Sequence, residues 1–210
     1  MPRKRNQEAR RKQLLDAAVA VINEHGPAGV QMKNVAKAAN MATGSIYYYY
    51  DDVDDLLQQV HHLAYERYVT RRQRAIEPLA DPRAQLATMV ALGIPRPQDE
   101  PLSLALYQVE VAKARDEKHS DFLTDLCSAQ REIYRSILDA GTELGLFHPV
   151  APTNDIAEQL ISLEDGYGLG ICGGKKDYTY ERTRALTIAA AELWTECTGL
   201  AGWLDPATLD

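Results

Sequence analysis

The apolar residues of this chain recur with the period of an α-helix along nearly its whole length. Leu14, Ala18, Val21 and Ile22 form one such stripe, because residues three and four apart share one face of a helix. Similar stripes continue toward the C-terminus, and no segment alternates apolar and polar residues as a half-buried strand would. The pattern predicts an all-α fold of about nine helices.

Glycine, proline and capping residues set the expected helix boundaries. Gly26 and Pro27 end the first helix, since glycine accepts a left-handed backbone and proline cannot continue a helix. Asn40, which also tolerates left-handed backbone, closes a short second helix. Asp81 before Pro82 predicts the start of a fifth. We expect a short third helix over residues 43–49, a long fourth over residues 53–77, and a loosely ordered tail.

Charge is unevenly distributed along the chain. The net charge is −7 overall, yet residues 1–50 hold eight basic and three acidic side chains, so they carry +5 and the remaining 160 residues carry −12. A basic segment on an acidic chain is typical of a protein that contacts phosphate with one end. A solvated, charged tail would give the same composition.

Several classes of protein are disfavoured by the remaining composition. Cys127, Cys172 and Cys197 are far apart, and His61 and His62 are adjacent, so neither set has the spacing of a metal site or a disulfide framework. No apolar run approaches the roughly 18 residues of a membrane span, and no secretory signal follows the basic N-terminus. We expect a cytoplasmic protein with no membrane contact, no cofactor and no metal.

Two short helices, separated by three or four residues, follow a longer one. This spacing is typical of a helix-turn-helix unit. The second short helix would enter the major groove of double-stranded DNA and read base edges near its N-terminus.

The residues of this unit carry a family resemblance. Residues 35–50, VAKAANMATGSIYYYY, resemble the signature of the TetR family of transcriptional regulators, and residues 54–57, DDLL, resemble the start of that family's fourth helix. Residues 141–147 and 157–166 are loosely similar to the branch named after the choline-pathway repressor of bacteria. The resemblance implies a DNA-binding domain over residues 1–52, an effector-binding and dimerisation domain over 53–200, and a tail over 201–210.

The motif assigns DNA contacts to named side chains. Gly44 permits close approach to the sugar-phosphate backbone, whereas Thr43 and Ser45 offer hydroxyls to phosphates or base edges. Tyr47 and Tyr48 offer ring contacts to thymine methyls and hydroxyl bonds to phosphates. The predicted DNA-binding residues are Arg3, Lys4, Arg5, Lys33, Thr43, Gly44, Ser45, Tyr47, Tyr48 and Tyr49. Ile46 and Tyr50 are expected to face the core instead.

Three positions depart from the family's pattern. Gln31 and Ala42 stand where the family commonly has Ser or Thr caps, each worth roughly 1 kcal/mol. Val53 stands where a Lys normally binds phosphate, and the loss of one phosphate contact would flatten the salt dependence of binding by about one unit of slope. These departures would lower operator affinity without changing the fold.

The resemblance also implies functions for the C-terminal body. An unknown small-molecule effector would bind between the long helices, and the candidate lining residues are Tyr65, Tyr68, Met89, Tyr107, Phe122, Arg131, Tyr134 and Glu164. Arg131 and Glu164 stand out, because a charge that faces a core has to be paired or to bind something charged. The last two helices would form a homodimer interface through Leu160, Leu163, Tyr167, Gly170, Leu186, Ala190, Leu193, Trp194 and Cys197.

The sequence therefore favours a ligand-released homodimeric repressor that binds a pseudo-palindromic operator. An activator, or a partner-dependent regulator with weakened DNA contacts, is the alternative within the same fold. A small helical enzyme is the alternative outside it, but the sequence offers no nucleophile–base pair and no paired carboxylates. The G-x-G-x-x-G spelled by residues 168–173 follows a helical stripe, not the strand that a dinucleotide site needs.

Overall fold

A computed structural model describes residues 2–96, 100–113 and 117–209 of the chain. Within these residues there are nine α-helices and no strand, which confirms the predicted fold class. The helices are α1 (Pro2–His25), α2 (Met32–Ala38), α3 (Thr43–Ile46), α4 (Val53–Ile76), α5 (Pro82–Gly93), α6 (Glu100–Lys113), α7 (Glu117–Glu143), α8 (Thr153–Cys172) and α9 (Tyr180–Thr195). No described helix is long and apolar enough to cross a membrane.

The chain forms two compact units, which comprise residues 1–66 with 99–120 and residues 67–98 with 121–210. The first unit is called the head below and the second the body. The predicted functional boundary after residue 52 stays a prediction.

The head is a helical cluster around one apolar core. The α1 stripe predicted from the sequence supplies the buried side chains of Leu14, Ala18, Val21 and Ile22. Helices α2, α3, α4 and α6 supply most of the rest of this core, and Val30, Ala39 and Tyr50 add to it from the turns between helices. The helix-turn-helix is therefore held by packing on a long helix, as a short helix such as α3 requires.

The turn between α2 and α3 forms as the sequence predicts. Asn40 has a φ of 53°, in the left-handed region. The Met41 N–H donates to the carbonyl of Ala36 at 2.9 Å, and the Asn40 N–H donates to the carbonyl of Lys37 at 3.1 Å. This is the Schellman arrangement, which satisfies the last carbonyls of a helix. It stops α2 cleanly and redirects the chain into α3.

The body is a helical bundle whose core lies between α5, α7, α8 and α9. The predicted start of α5 is confirmed, because the Asp81 carboxylate accepts the Arg83 N–H at 2.9 Å and Pro82 opens the helix. Helix α7 ends at Glu143, and Gly145 in the turn after it has a φ of 67°, in the left-handed region that favours glycine.

Two expectations from the sequence are wrong in detail. Helix α3 ends at Ile46 rather than near Tyr49, because the next three residues form a turn. The tail is not loose: it forms 3-10 turns at Leu200–Trp203 and Pro206–Leu209. Leu204 packs against the body core, and the guanidinium carbon of Arg83 lies 3.9 Å from the ring centroid of Trp203. The tail therefore packs on the body through Leu204 and Trp203.

A glycine near the end of α7 tests this packing. A Cβ on Gly141 would lie 2.0 Å from Cδ2 of the buried Phe147 ring. We expect Gly141→Ala to lower the stability by about 1–3 kcal/mol, since a packed core resists added volume. Thermal unfolding followed by circular dichroism measures the effect. Gly166→Ala in α8 is the control, because nothing lies near its Cβ; an equal loss in both variants would contradict the packing argument.

Candidate DNA-binding surface and buried polar cluster

Helix α3 and the turn after it present an exposed polar and aromatic surface. Thr43, Gly44 and Ser45 are exposed. Tyr47 and Tyr48 are 57% and 72% exposed, which is unusual for rings with so much apolar area. We call these five residues the recognition surface. Surface of this composition suits a groove that offers both phosphates and base edges.

The neighbouring apolar positions point the other way. Ile46 and Tyr50 are buried in the head core, as predicted. The Tyr50 hydroxyl donates to the carbonyl of Arg11 at 3.4 Å, and burial raises the pKa of Tyr50 to about 12. Tyr49 is half-buried and meets Tyr48 edge to face, with ring centroids 5.1 Å apart. Of the four consecutive tyrosines, the first two are exposed, the third is half-buried and the fourth packs in the core.

Gly44 has no internal role that demands glycine. A Cβ there would meet no atom within 4 Å. Glycine weakens a helix by roughly 1 kcal/mol relative to alanine. Gly44 therefore lowers the stability of a four-residue helix, and no neighbouring atom in the head requires a glycine there. An outside partner that approaches the backbone closely would explain it.

The three departures from the family's pattern are visible in the structure. Neither Gln31 nor Ala42 makes a side-chain cap, although each precedes a short helix. Val53 is half-buried against the head core, so it has no part in phosphate contact. The start of α4 is capped by acidic residues instead: Asp52 accepts the Asp55 N–H at 2.8 Å, and Asp55 accepts the Asp51 N–H at 3.1 Å. Carboxylates are favourable there, at the positive end of a helix.

The predicted basic contacts are only partly described. Lys33 is exposed at the start of α2. Arg3, Lys4 and Arg5 belong to α1, but their side chains lie outside the described residues.

The body contains a second site, a fully buried ion pair. The side chains of Arg72 on α4 and Glu164 on α8 are 1% and 0% exposed. Both terminal nitrogens of Arg72 donate to Glu164, Nη1 to Oε2 and Nη2 to Oε1, each at 3.0 Å. This is the bidentate geometry that makes arginine–carboxylate pairs strong and specific.

Polar groups from the surrounding helices complete this pair. Tyr134 donates a short hydrogen bond to Glu164 Oε1, and Gln130 Nε2 donates to Oε2 at 3.2 Å. The Tyr68 hydroxyl lies 3.3 Å from Oε2 and accepts from Arg72 Nη1 at 2.7 Å. Together, Arg72, Glu164, Tyr68, Tyr134 and Gln130 are called the buried polar cluster.

Helix α5 closes the cluster on another side. The carbonyl of Met89 accepts from Arg72 Nη2 at 2.9 Å. The carbonyl of Gly93 lies 3.2 Å from the Tyr68 hydroxyl, and a Cβ on Gly93 would lie only 2.0 Å from Glu164 Oε1. Glycine is required at this position because the carboxylate sits directly against the backbone.

Burial works against both charges of the pair. It raises the pKa of the Glu164 carboxyl and tends to lower that of the Arg72 guanidinium. Burial is the largest single influence on Arg72, but Glu164, Tyr134 and Tyr68 together outweigh it, so the pKa of Arg72 is raised. Burial also raises the pKa of Tyr134, so this phenol stays a neutral donor. Each charge is therefore tolerated only while the other is present.

The predicted effector-lining residues separate into groups. Tyr68, Met89, Tyr134 and Glu164 come together around Arg72. Tyr65 and Tyr107 are buried within the head, and the side chain of Phe122 lies outside the described residues.

Arg131 is not part of the cluster. It pairs with Glu158 at the surface, where Nε lies 2.5 Å from Oε2.

Arg72 is the functional candidate that sequence reasoning missed. It lies four residues after Tyr68 and continues the buried stripe of Val60 and Ala64, so its position on this face was the available signal.

The predicted dimer residues also separate. Leu160, Gly170 and Cys197 are buried within their own chain, and Gly170 lies against the ring of Tyr178. Leu186 and Leu193 on α9 are exposed, and so is Leu169 on α8. Leu163, Tyr167, Ala190 and Trp194 are partly exposed. The dimer interface stays a prediction.

The combination of an exposed helix-turn-helix and a separate helical body defines a DNA-binding regulator. Comparisons with known proteins agree. Residues 14–60 match the profile of bacterial regulatory proteins of the tetR family, and residues 94–172 match that of the tetracyclin repressor-like C-terminal domain. The chain belongs to the TetR family of transcriptional regulators, and this membership makes it a regulator rather than an enzyme.

Curated relatives cover most of the chain. The HTH-type transcriptional regulator BetI of Burkholderia ambifaria is 30% identical over 180 residues, which are 84% of this chain and 90% of the relative. BetI of Paraburkholderia phymatum is 36% identical over 92 residues, or 43% of this chain and 47% of the relative.

Solved structures share the fold. A TetR-family regulator from Rhodococcus superposes with a TM-score of 0.79 at 20% identity, covering 89% of this chain and 99% of that one. A regulator from Saccharomonospora viridis in complex with choline superposes with a TM-score of 0.78 at 22% identity, covering 87% and 95%. FadR from Bacillus subtilis in complex with stearoyl-CoA superposes with a TM-score of 0.69 at 21% identity, and the match covers 90% of this chain and 99% of that one.

Two glutamates allow a matched test of the buried polar cluster. Glu164→Gln leaves the Arg72 charge buried without a counter-ion, so we expect a loss of about 3–5 kcal/mol. Glu158→Gln removes the partner of Arg131 at the surface, where such pairs contribute at most about 1 kcal/mol. Urea unfolding of both variants measures the difference. Equal losses would mean that the buried ion pair does not stabilise the body as described.

Proposed function

We propose that this chain is a homodimeric, ligand-responsive repressor that binds a pseudo-palindromic operator in the cytoplasm. The observation that carries the proposal is the recognition surface. It combines exposed tyrosines with a glycine that the packing of the head does not require, on the second helix of a helix-turn-helix and the turn after it. The two recognition helices of a dimer would enter successive major grooves, so the operator would have matching half-sites.

The body supports the dimer and effector parts of the proposal. Exposed leucines on α8 and α9 provide apolar surface that a second copy could cover. Two structural neighbours are in complex with ligands as different as choline and stearoyl-CoA, so the fold alone does not define the ligand. An effector that binds best to a conformation in which the two heads of the dimer are wrongly spaced for the operator would release the DNA. Operator binding would in turn lower the affinity for the effector by the same factor.

A regulator with weakened DNA contacts is a second candidate. The uncapped helices at Gln31 and Ala42 and the half-buried Val53 favour it. Such a protein would bind its operator measurably only with an effector or a protein partner present.

The recognition surface predicts opposite effects on folding and on DNA binding. Gly44→Ala keeps or raises the Tm, because alanine favours the helix and fills open space. The same change lowers operator affinity by roughly tenfold or more if the backbone approaches DNA closely. Fluorescence anisotropy on an operator selected from genomic fragments measures the affinity.

Tyr48 provides the companion variants. Tyr48→Ala should weaken specific binding and leave unfolding unchanged, since the side chain is largely exposed. Tyr48→Phe separates the ring from the hydroxyl. Unchanged operator affinity in both Gly44→Ala and Tyr48→Ala would remove these residues from the DNA contact.

Two exposed leucines test the dimer. Leu193 on α9 is 71% exposed and Leu144, at the end of α7, is 65% exposed. We expect Leu193→Glu to yield monomers, because an interface would bury the new charge, whereas Leu144→Glu should remain dimeric. Analytical ultracentrifugation distinguishes the two species, and a dimeric Leu193→Glu would place the interface elsewhere.

A further inference from the structure

The buried polar cluster has the chemistry of a binding site for a small organic cation. Proteins hold such cations with aromatic rings and carboxylates. Here the guanidinium carbon of Arg72 lies 4.9 Å from the ring centroid of Tyr68 and 5.1 Å from that of Tyr134, and Glu164 supplies the negative charge. We call Tyr68, Tyr134 and Glu164 with the Met89 carbonyl the cation seat.

Arg72 fills this seat completely. Its two terminal nitrogens donate to both oxygens of Glu164, to both phenol oxygens and to the Met89 carbonyl. Tyr134 and Gln130 donate to the same carboxylate. The backbone at Gly93 lies so close to Glu164 that no methyl group would fit there. The carboxylate therefore has neither lone pairs nor space for a second cation.

The electrostatics of the cluster favour the same conclusion. Arg72 and Glu164 neutralise each other, so the cluster offers no net attraction to a positive ligand. The unsatisfied polar atom of Arg72 is Nε, a buried N–H donor that has no acceptor within hydrogen-bond distance. A donor repels another cation and suits an oxygen acceptor.

We propose that Arg72 is a built-in occupant of the cation seat, so that the buried polar cluster of this chain cannot receive the cationic group of an effector. This inference rests on the proposed function, because it concerns the ligand of the body.

Thermal unfolding in three salts tests the proposal without DNA. Wild-type protein should have the same Tm in tetramethylammonium chloride, methylguanidinium chloride and sodium chloride at equal low concentration. Arg72→Ala should lose roughly 10 °C in Tm, because it leaves Glu164 buried and unpaired. Either organic cation, but not sodium, should then restore at least half of that loss by occupying the vacated seat.

Two further measurements keep the outcome decisive. Arg72→Ala combined with Glu164→Gln removes both charges, so neither organic cation should raise its Tm. If Arg72→Ala is unfolded by itself, the same salts are compared during refolding, and helical circular dichroism should return only with an organic cation.

Three results would overturn the proposal. The first is a wild-type Tm that is higher in tetramethylammonium chloride than in sodium chloride. The second is an Arg72→Ala protein whose Tm neither organic cation raises. The third is a double variant whose Tm an organic cation still raises. None of these depends on operator binding. Failure to find an operator would count against the regulator proposal and leave the salt responses as they are.

Discussion

The ion pair between Arg72 and Glu164 is the interaction on which the body depends. Removing two charges from water costs several kcal/mol for each, and their mutual attraction offsets this cost only when hydrogen bonds satisfy most of the polar groups around them. That requirement accounts for features that would otherwise be unrelated: a glycine at position 93, a buried phenol at Tyr134 and an amide at Gln130. Four helices, α4, α5, α7 and α8, contribute to the cluster, so the pair also fixes which faces of these helices are buried.

The head follows a different physical logic. Its core is ordinary apolar packing, and what is unusual lies on its surface. Gly44 weakens the helix it belongs to, Ala42 leaves that helix uncapped, and two tyrosine rings stay in water. None of these residues increases the stability of the head in the absence of DNA. They are consistent with a surface whose stabilising contacts come from DNA, where phosphate and base contacts replace the missing ones.

Local signals in the sequence were sufficient where local chemistry decides the structure. The left-handed turn at Asn40 and the cap at Asp81 follow from properties of single residues and their neighbours. Composition could not distinguish Arg72, because it is one of three arginines within residues 71–74, and the other side chains of this segment are exposed or half-buried. Arg131 and the tail at Trp203 depend on partners distant in sequence, Glu158 and Arg83. Only the tertiary structure brings such partners together.

The proposed repressor recognises a particular DNA sequence through its head. The most direct measurement is selection of bound fragments from the source genome by the purified protein at about 0.15 M salt, followed by sequencing. We expect enrichment of one pseudo-palindromic sequence, which would also identify the regulated genes. Fragments enriched without a shared sequence, in amounts that fall steeply with added salt, would contradict it and leave only non-specific attraction to phosphate.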